Sequence, residues 1–144
     1  MSRIVARPSW AFLPLLGLAL LSCSSSETVD RQSKLAASTA QAAVLMTDAW
    51  LSGAAPSPYA FSALQSFAET LADATRSVQS APVHDPLKRD ALAVAVSRLS
   101  NAANRAKGAV EAKQPTQVGQ AERELRAAQG DLAAAYRQYV SPHR

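Results

Sequence analysis

Leu92-Ala93-Val94-Ala95-Val96-Ser97-Arg98-Leu99-Ser100-Asn101-Ala102-Ala103-Asn104-Arg105-Ala106-Lys107-Gly108-Ala109-Val110 is the stretch that decides the fold. Within it Leu92, Val96, Leu99, Ala103, Ala106 and Val110 recur at alternating steps of four and three without a slip. That spacing lines one face of an α-helix and no face of a strand. Asn101, Asn104, Arg105 and Lys107 fall on other faces. Asp85-Pro86 opens the segment with a capping acid followed by a proline, which needs no amide donor in a first turn. The spacing predicts a helix from about Pro86 to Lys113.

Working outward, Pro115 interrupts and Thr116 is placed to cap a further helix running to about Tyr139. Its stripe is Val118, Ala121, Leu125, Ala128, Leu132, Ala135 and Tyr139. Upstream, Phe61, Leu64, Ala68, Leu71, Thr75 and Val78, broadened by Phe67, predict a helix from about Pro58 to Ser80. Ser57 is the expected cap of that helix, and Pro82 ends it. The first helix is expected from about Val29 to Ser52, with Leu35, Ala42, Leu45 and Ala49 as its stripe, Met46 beside them and Gly53 as the stop signal. Four amphipathic helices of similar length joined by short loops predict an all-α fold, an antiparallel up-down-up-down four-helix bundle over residues 29–140, with 141–144 as a tail. Many stripe positions are alanine, the best intrinsic helix former, so neighbouring helices should approach closely. The Gln114-Pro115-Thr116 joint admits two readings. As a reversal it closes the bundle; as a kink it leaves a long rod that needs a partner.

The chain ahead of the bundle has a different character. Arg3 and Arg7 supply a positive start, Trp10 to Leu21 is apolar apart from Pro14 and Gly17, and Ser22 is small. This is the order of a secretory signal over residues 1–22, and the apolar part is too short for a comfortable membrane span. Leu20-Leu21-Ser22-Cys23 resembles the lipobox of bacterial lipoproteins, with Leu at the middle position less usual than Ala or Ser. The resemblance covers about the first sixth of the chain. It implies lipidation of Cys23 by fatty acyl chains such as palmitate, cleavage before Cys23 and acylation of the new amino terminus. Because Ser24 is not Asp, it also implies the periplasmic face of the outer membrane. Cys23 is the sole cysteine, so no internal disulfide forms in an oxidising compartment. Residues 23–28 are then expected to be the lipidated cysteine and a short polar tether, which holds the bundle close to the bilayer.

Little in the remainder points to chemistry. Helical bundles that hold two metals use Glu-x-x-His pairs, and none is present; nor is Cys-x-x-Cys-His for haem. Met46 reads as core filling. His84 and His143 fall at the tether end near Asp85, Tyr136 and Tyr139, where solvation of a loop and closure of the bundle floor account for them. Glu122 and Glu124 are two apart and do not share a helix face. Asp48, Glu69 and Asp73 read as solvated. No serine lies in Gly-x-Ser-x-Gly. No cofactor, no metal and no enzymatic activity are expected.

The chain carries 15 Lys and Arg against 11 Asp and Glu; without Arg3 and Arg7 the excess is two, too small for a nucleic-acid surface. Residues 24–85 are mildly acidic and 86–144 mildly basic, which suits two hairpins packing on each other; a basic face for anionic lipid is the alternative. Trp50, Tyr59 and Phe61 flank the first turn, at the end away from the tether. They either cap the core or form a recognition patch, since aromatic residues are enriched in binding hot spots. The expected function is a non-enzymatic envelope lipoprotein that binds a protein partner or supports an assembly at the membrane. The alternatives are a bundle that holds a small apolar ligand between helices, and a self-associating helical lipoprotein.

Overall fold

The computed structural model describes residues 24–142. The signal segment 1–22, Cys23 and His143 lie outside the described residues. Four helices run α1 (Ser24–Leu51), α2 (Ser57–Ser80), α3 (Pro86–Glu111) and α4 (Pro115–Val140), packed as a four-helix bundle with no strand among the described residues. The turn at Pro115 is a reversal: α4 folds back along α3. It is built by backbone geometry. Lys113 takes φ 55°, the Lys113 amide donates to the Val110 carbonyl at 3.0 Å, and the Gln114 amide donates to Ala109 at 3.0 Å. This pair of bonds satisfies two carbonyls left open at the end of α3. Gly53, at φ 80°, ends α1 in the same way, with bonds from Gly53 to Trp50 and from Ala54 to Ala49.

The caps differ in part from expectation. Asp85 caps α3 as expected, its carboxylate accepting from the Lys88 amide at 3.2 Å. Thr116 does not cap α4: Pro115 already occupies the first turn and extended Gln114 stands at the cap position. Ser57 does not cap α2 either. It lies inside the helix behind Pro56, and its hydroxyl accepts from the Trp50 indole instead.

The expected stripes of α3 and α4 face the core. Leu92, Val96, Leu99, Ala103, Ala106 and Val110 are buried, as are Val118, Ala121, Leu125, Ala128 and Leu132. On α2 the buried line is Ala60, Leu64, Ala68, Leu71, Ala74 and Val78, which leaves Phe61, Phe67 and Thr75 half-buried at its edges.

α1 departs from expectation twice. It begins at Ser24 rather than Val29, so the stretch expected as a tether is helical. Its register also differs. Val29, Ser33, Ala36, Ala40, Ala43 and Thr47 step by four and three along the buried face, joined by Val44 and Thr39. The expected stripe points the other way: Leu35 is 41% exposed and Leu45 58% exposed, with Ala42 and Ala49 partly exposed between and beyond them.

Packing explains why. α1 and α3 approach each other across the diagonal of the bundle, whereas α2 and α4 do not meet. The cross-section is therefore a rhomb with α1 and α3 on its short diagonal, and the buried face of α1 brings mostly small side chains to it, Ala36, Ala40 and Ala43 among them. The large core side chains Leu64, Leu71, Leu92, Leu99 and Leu125 come from the other three helices. Fully burying one leucine stabilises by about 1.5–3 kcal/mol. That gain is forgone on α1 because a leucine on its inner face would hold it away from α3. We predict that Ala40→Leu costs about 1–3 kcal/mol through overpacking, whereas Leu45→Ala changes stability by less than about 0.5 kcal/mol. Urea melts of the two variants measure the pair, and a cost of several kcal/mol for Leu45→Ala would contradict this register.

Candidate functional site

Four places on the bundle bear on function. The first is the start of α1. Cys23 lies outside the described residues; the helix begins at the next residue, Ser24.

The second is the roof. The structure brings Trp50 and Phe61 onto the bundle end and leaves Tyr59 outside. Trp50 is half-buried against the core, and its Nε1 donates to Ser57 Oγ at 3.0 Å, tying the end of α1 to the start of α2. Phe61 is half-buried beneath Lys107, whose Nζ sits 5.8 Å from the ring centroid, within cation–π range. Tyr59 is 62% exposed. Trp50 and Phe61 thus close the core, and Tyr59 projects alone from this trio.

The third place is the outer face of α1, which the sequence reading assigned to the core. Leu35, Ser38, Ala42, Leu45 and Ala49 fall at the heptad spacing of a coiled-coil seam, opposite the buried face. α1 thus carries two seams, one of alanine, serine, threonine and valine turned inward and one bearing Leu35 and Leu45 outward, while Met46 and Trp50 pack partly buried on the core. The signal that could have separated them is composition. The inner line from Val29 to Thr47 holds nothing larger than valine, while Glu27, Arg31, Lys34, Gln41 and Asp48 share the exposed side with Leu35 and Leu45.

The fourth is a groove of about 360 Å³ between α1 and α4, lined by Ser33, Lys34, Ala37, Gln129, Leu132, Ala133 and Tyr136. The Ser33 hydroxyl is buried and has no hydrogen-bond partner among the described residues. At the groove's lower lip the Tyr136 hydroxyl donates to Asp30 Oδ1, and Lys34 Nζ pairs with Asp30 Oδ2 at 2.9 Å. Further up, Gln129 donates to Gln41 at 3.1 Å and Arg126 reaches Asp48 at 3.4 Å, so polar contacts bridge α1 to α4 on this side.

The Tyr136 hydrogen bond, followed by Lys34, holds the Asp30 carboxyl below its ordinary range. The same bond to Asp30 raises the Tyr136 phenol, and the Asp30 partnership raises Lys34. Burial raises Tyr139. No group of three or more His, Cys, Asp or Glu side chains stands together to hold a metal among the described residues. His84 is exposed in its loop, and Met46 packs partly buried on the core. Comparison with protein-family models, with curated proteins and with solved structures gives no match to this chain.

The signs of these shifts fix a pH window for the α1–α4 contact. A lowered carboxyl contributes stability above its unfolded value near 3.9 and loses it as pH falls through the folded value. A raised phenol and a raised amine contribute below about 10 and lose it as pH climbs through their folded values. The contact is therefore at full strength between about pH 5 and 9. Tyr136→Phe removes the largest cause of the Asp30 shift. The Asp30 carboxyl should then titrate closer to an ordinary aspartate, as read by carbon-13 NMR; an unmoved titration would show that Tyr136 does not set it.

Proposed function

We propose that the protein is a non-enzymatic lipoprotein of the cell envelope, held by acylated Cys23 on the periplasmic face of the outer membrane, which binds a helix of a protein partner on the outer seam of α1. The observation that carries the reading is the outward turn of Leu35 and Leu45 at coiled-coil spacing. A seam with small residues between its leucines admits a second helix closely, as knobs enter holes. The lipobox resemblance supports the location. The absence of slack between Cys23 and α1 supports a partner at the membrane, since an upright α1 presents its seam parallel to the bilayer normal.

The test is a photo-crosslinking residue at Leu45 in the full chain, activated in native membranes. An adduct with a second polypeptide is expected. It should disappear with Leu35→Glu, and should not form from the exposed position Ala134 on α4. Cys23→Ala should abolish both fatty-acid labelling and the adduct. No adduct at Leu45 would overturn the partner surface, adducts of two copies of this chain would replace the partner by self-association, and equal fatty-acid labelling of Cys23→Ala would overturn the anchor.

A second reading, a small apolar ligand, is favoured by the α1–α4 groove. Its volume of about 360 Å³ falls in the range of small-molecule sites. The buried Ser33 hydroxyl offers one polar partner to an otherwise apolar guest. An apolar naphthylamine dye should then brighten at micromolar protein and lose that signal in Ala133→Trp, which fills the groove; no brightening of the wild type would refute this reading.

A further inference from the structure

We infer that the lower end of the bundle is a bilayer-contact surface, seated on the membrane through Leu87 and Val140. The inference rests on the lipid-anchor reading above and adds what the anchored body touches.

Three helix ends share one level there. The Tyr136–Asp30 hydrogen bond aligns α1 with α4. From Asp30 down to Ser24 is six residues and from Tyr136 to Ser141 is five, which at 1.5 Å per residue is about 9 and 7.5 Å. Lys88 Nζ donates to the Ser141 carbonyl at 3.3 Å, which brings the first turn of α3 to the same level. The residue that follows Cys23, the first turn of α3 and the last turn of α4 therefore form one floor.

That floor exposes apolar side chains at its rim. Leu87 is 82% exposed, the most exposed large hydrophobic among the described residues, and Val140 is 55% exposed. Pro82 is exposed and Val83 partly exposed in the loop between α2 and α3. Lone exposed leucines are ordinary. What singles out Leu87 and Val140 is that the chain leading to Cys23 ends on the same floor. Two or three acyl chains inserted there bring these side chains to headgroup depth at no further cost in translational freedom.

Charge does not drive the contact. Lys88, Arg89, Arg137, Arg31 and Lys34 lie toward this end, but Glu27, Asp30, Asp85 and Asp90 lie beside them. Lys88 and Arg137 have stems long enough to keep their charges among the headgroups while the apolar rim enters. The occupant is thus the interfacial zone of a phospholipid bilayer, independent of anionic lipid.

Tryptophan quenching by brominated lipid tests this on the mature acylated chain, purified from membranes and reconstituted in vesicles of phosphatidylcholine brominated near the carboxyl end of the acyl chains. Trp50 is a built-in control: it lies 26 residues above Ser24, about 39 Å along α1. In Leu87→Trp the added emission should shift to the blue and lose about half its intensity, as an interfacial side chain buried 5–10 Å does, while wild-type Trp50 emission is unaffected. The same quenching is expected when a third of the lipid is phosphatidylglycerol. Unchanged helical circular dichroism checks the fold of Leu87→Trp. Unquenched Leu87→Trp emission in protein that floats with the vesicles would overturn the floor and leave the anchor standing. Quenching that requires phosphatidylglycerol would replace apolar seating by charge attraction. Protein that fails to float would overturn both readings.

Discussion

The close approach of α1 to α3 is the constraint on which the rest of the bundle depends. Two helices can cross the middle of a four-helix bundle at short range where the facing side chains are small. Ala36, Ala40 and Ala43 meet that condition on the buried face of α1. With the short diagonal fixed, α2 and α4 are pushed apart. The leucines of α2, α3 and α4 fill the space on either side, and α3 becomes the most enclosed element. α1 is left with an inner face too tight for leucine. Leu35 and Leu45 are turned to the outside and Leu51 falls at the helix end, so the surface taken here as the partner seam follows from packing rather than from a separate binding motif.

The same constraint explains what could be read from the residues and what could not. In α3 and α4 large and small apolar residues repeat on one face only, so the stripes beginning at Leu92 and Val118 were legible as core. α2 was nearly so; its stripe is shifted by one residue at Phe61 and Thr75, where the neighbouring Ala60 and Ala74 fit closer to the axis. α1 carries two stripes, and the one that looks more hydrophobic is the outer one. Reading by hydrophobicity selects Leu35 and Leu45; reading by size, with α3 in place, selects Ala36, Ala40 and Thr47. The size rule requires the partner helix, which no single segment reveals. Buried Thr47 shows how the inner face accommodates polar side chains, since its hydroxyl donates to the Val44 carbonyl at 2.7 Å inside the helix. At the roof, the aromatic trio was legible as a group, but its division was not. Trp50 is drawn in by Ser57, a hydroxyl that the sequence reading assigned to helix capping.

The two ends of the bundle are finished differently, although each leaves apolar side chains exposed, Leu51 and Tyr59 at the roof and Leu87 and Val140 at the floor. The roof is closed by the left-handed turns at Gly53 and Lys113 and by the Trp50–Ser57 bond. The floor leaves Leu87 and Val140 exposed at the end of the bundle where α1 begins at Ser24. Between them, α1 exposes its apolar seam along one side, and the groove beside α4 lies toward the floor, at the height of Ser33 and Tyr136. The proposed function assigns these surfaces in turn: the floor to the bilayer and the outer face of α1 to a partner helix.

The relation between α1 and α3 is tested most directly by solvent paramagnetic relaxation of methyl groups in the folded domain. A soluble gadolinium chelate should broaden the methyl signals of Leu35 and Leu45 strongly and leave those of Ala40, Ala43 and Ala103 sharp. Protected leucines with broadened Ala40 and Ala43 would place the other face of α1 against α3, and the alanine diagonal, the outward seam and the partner surface would all be contradicted together.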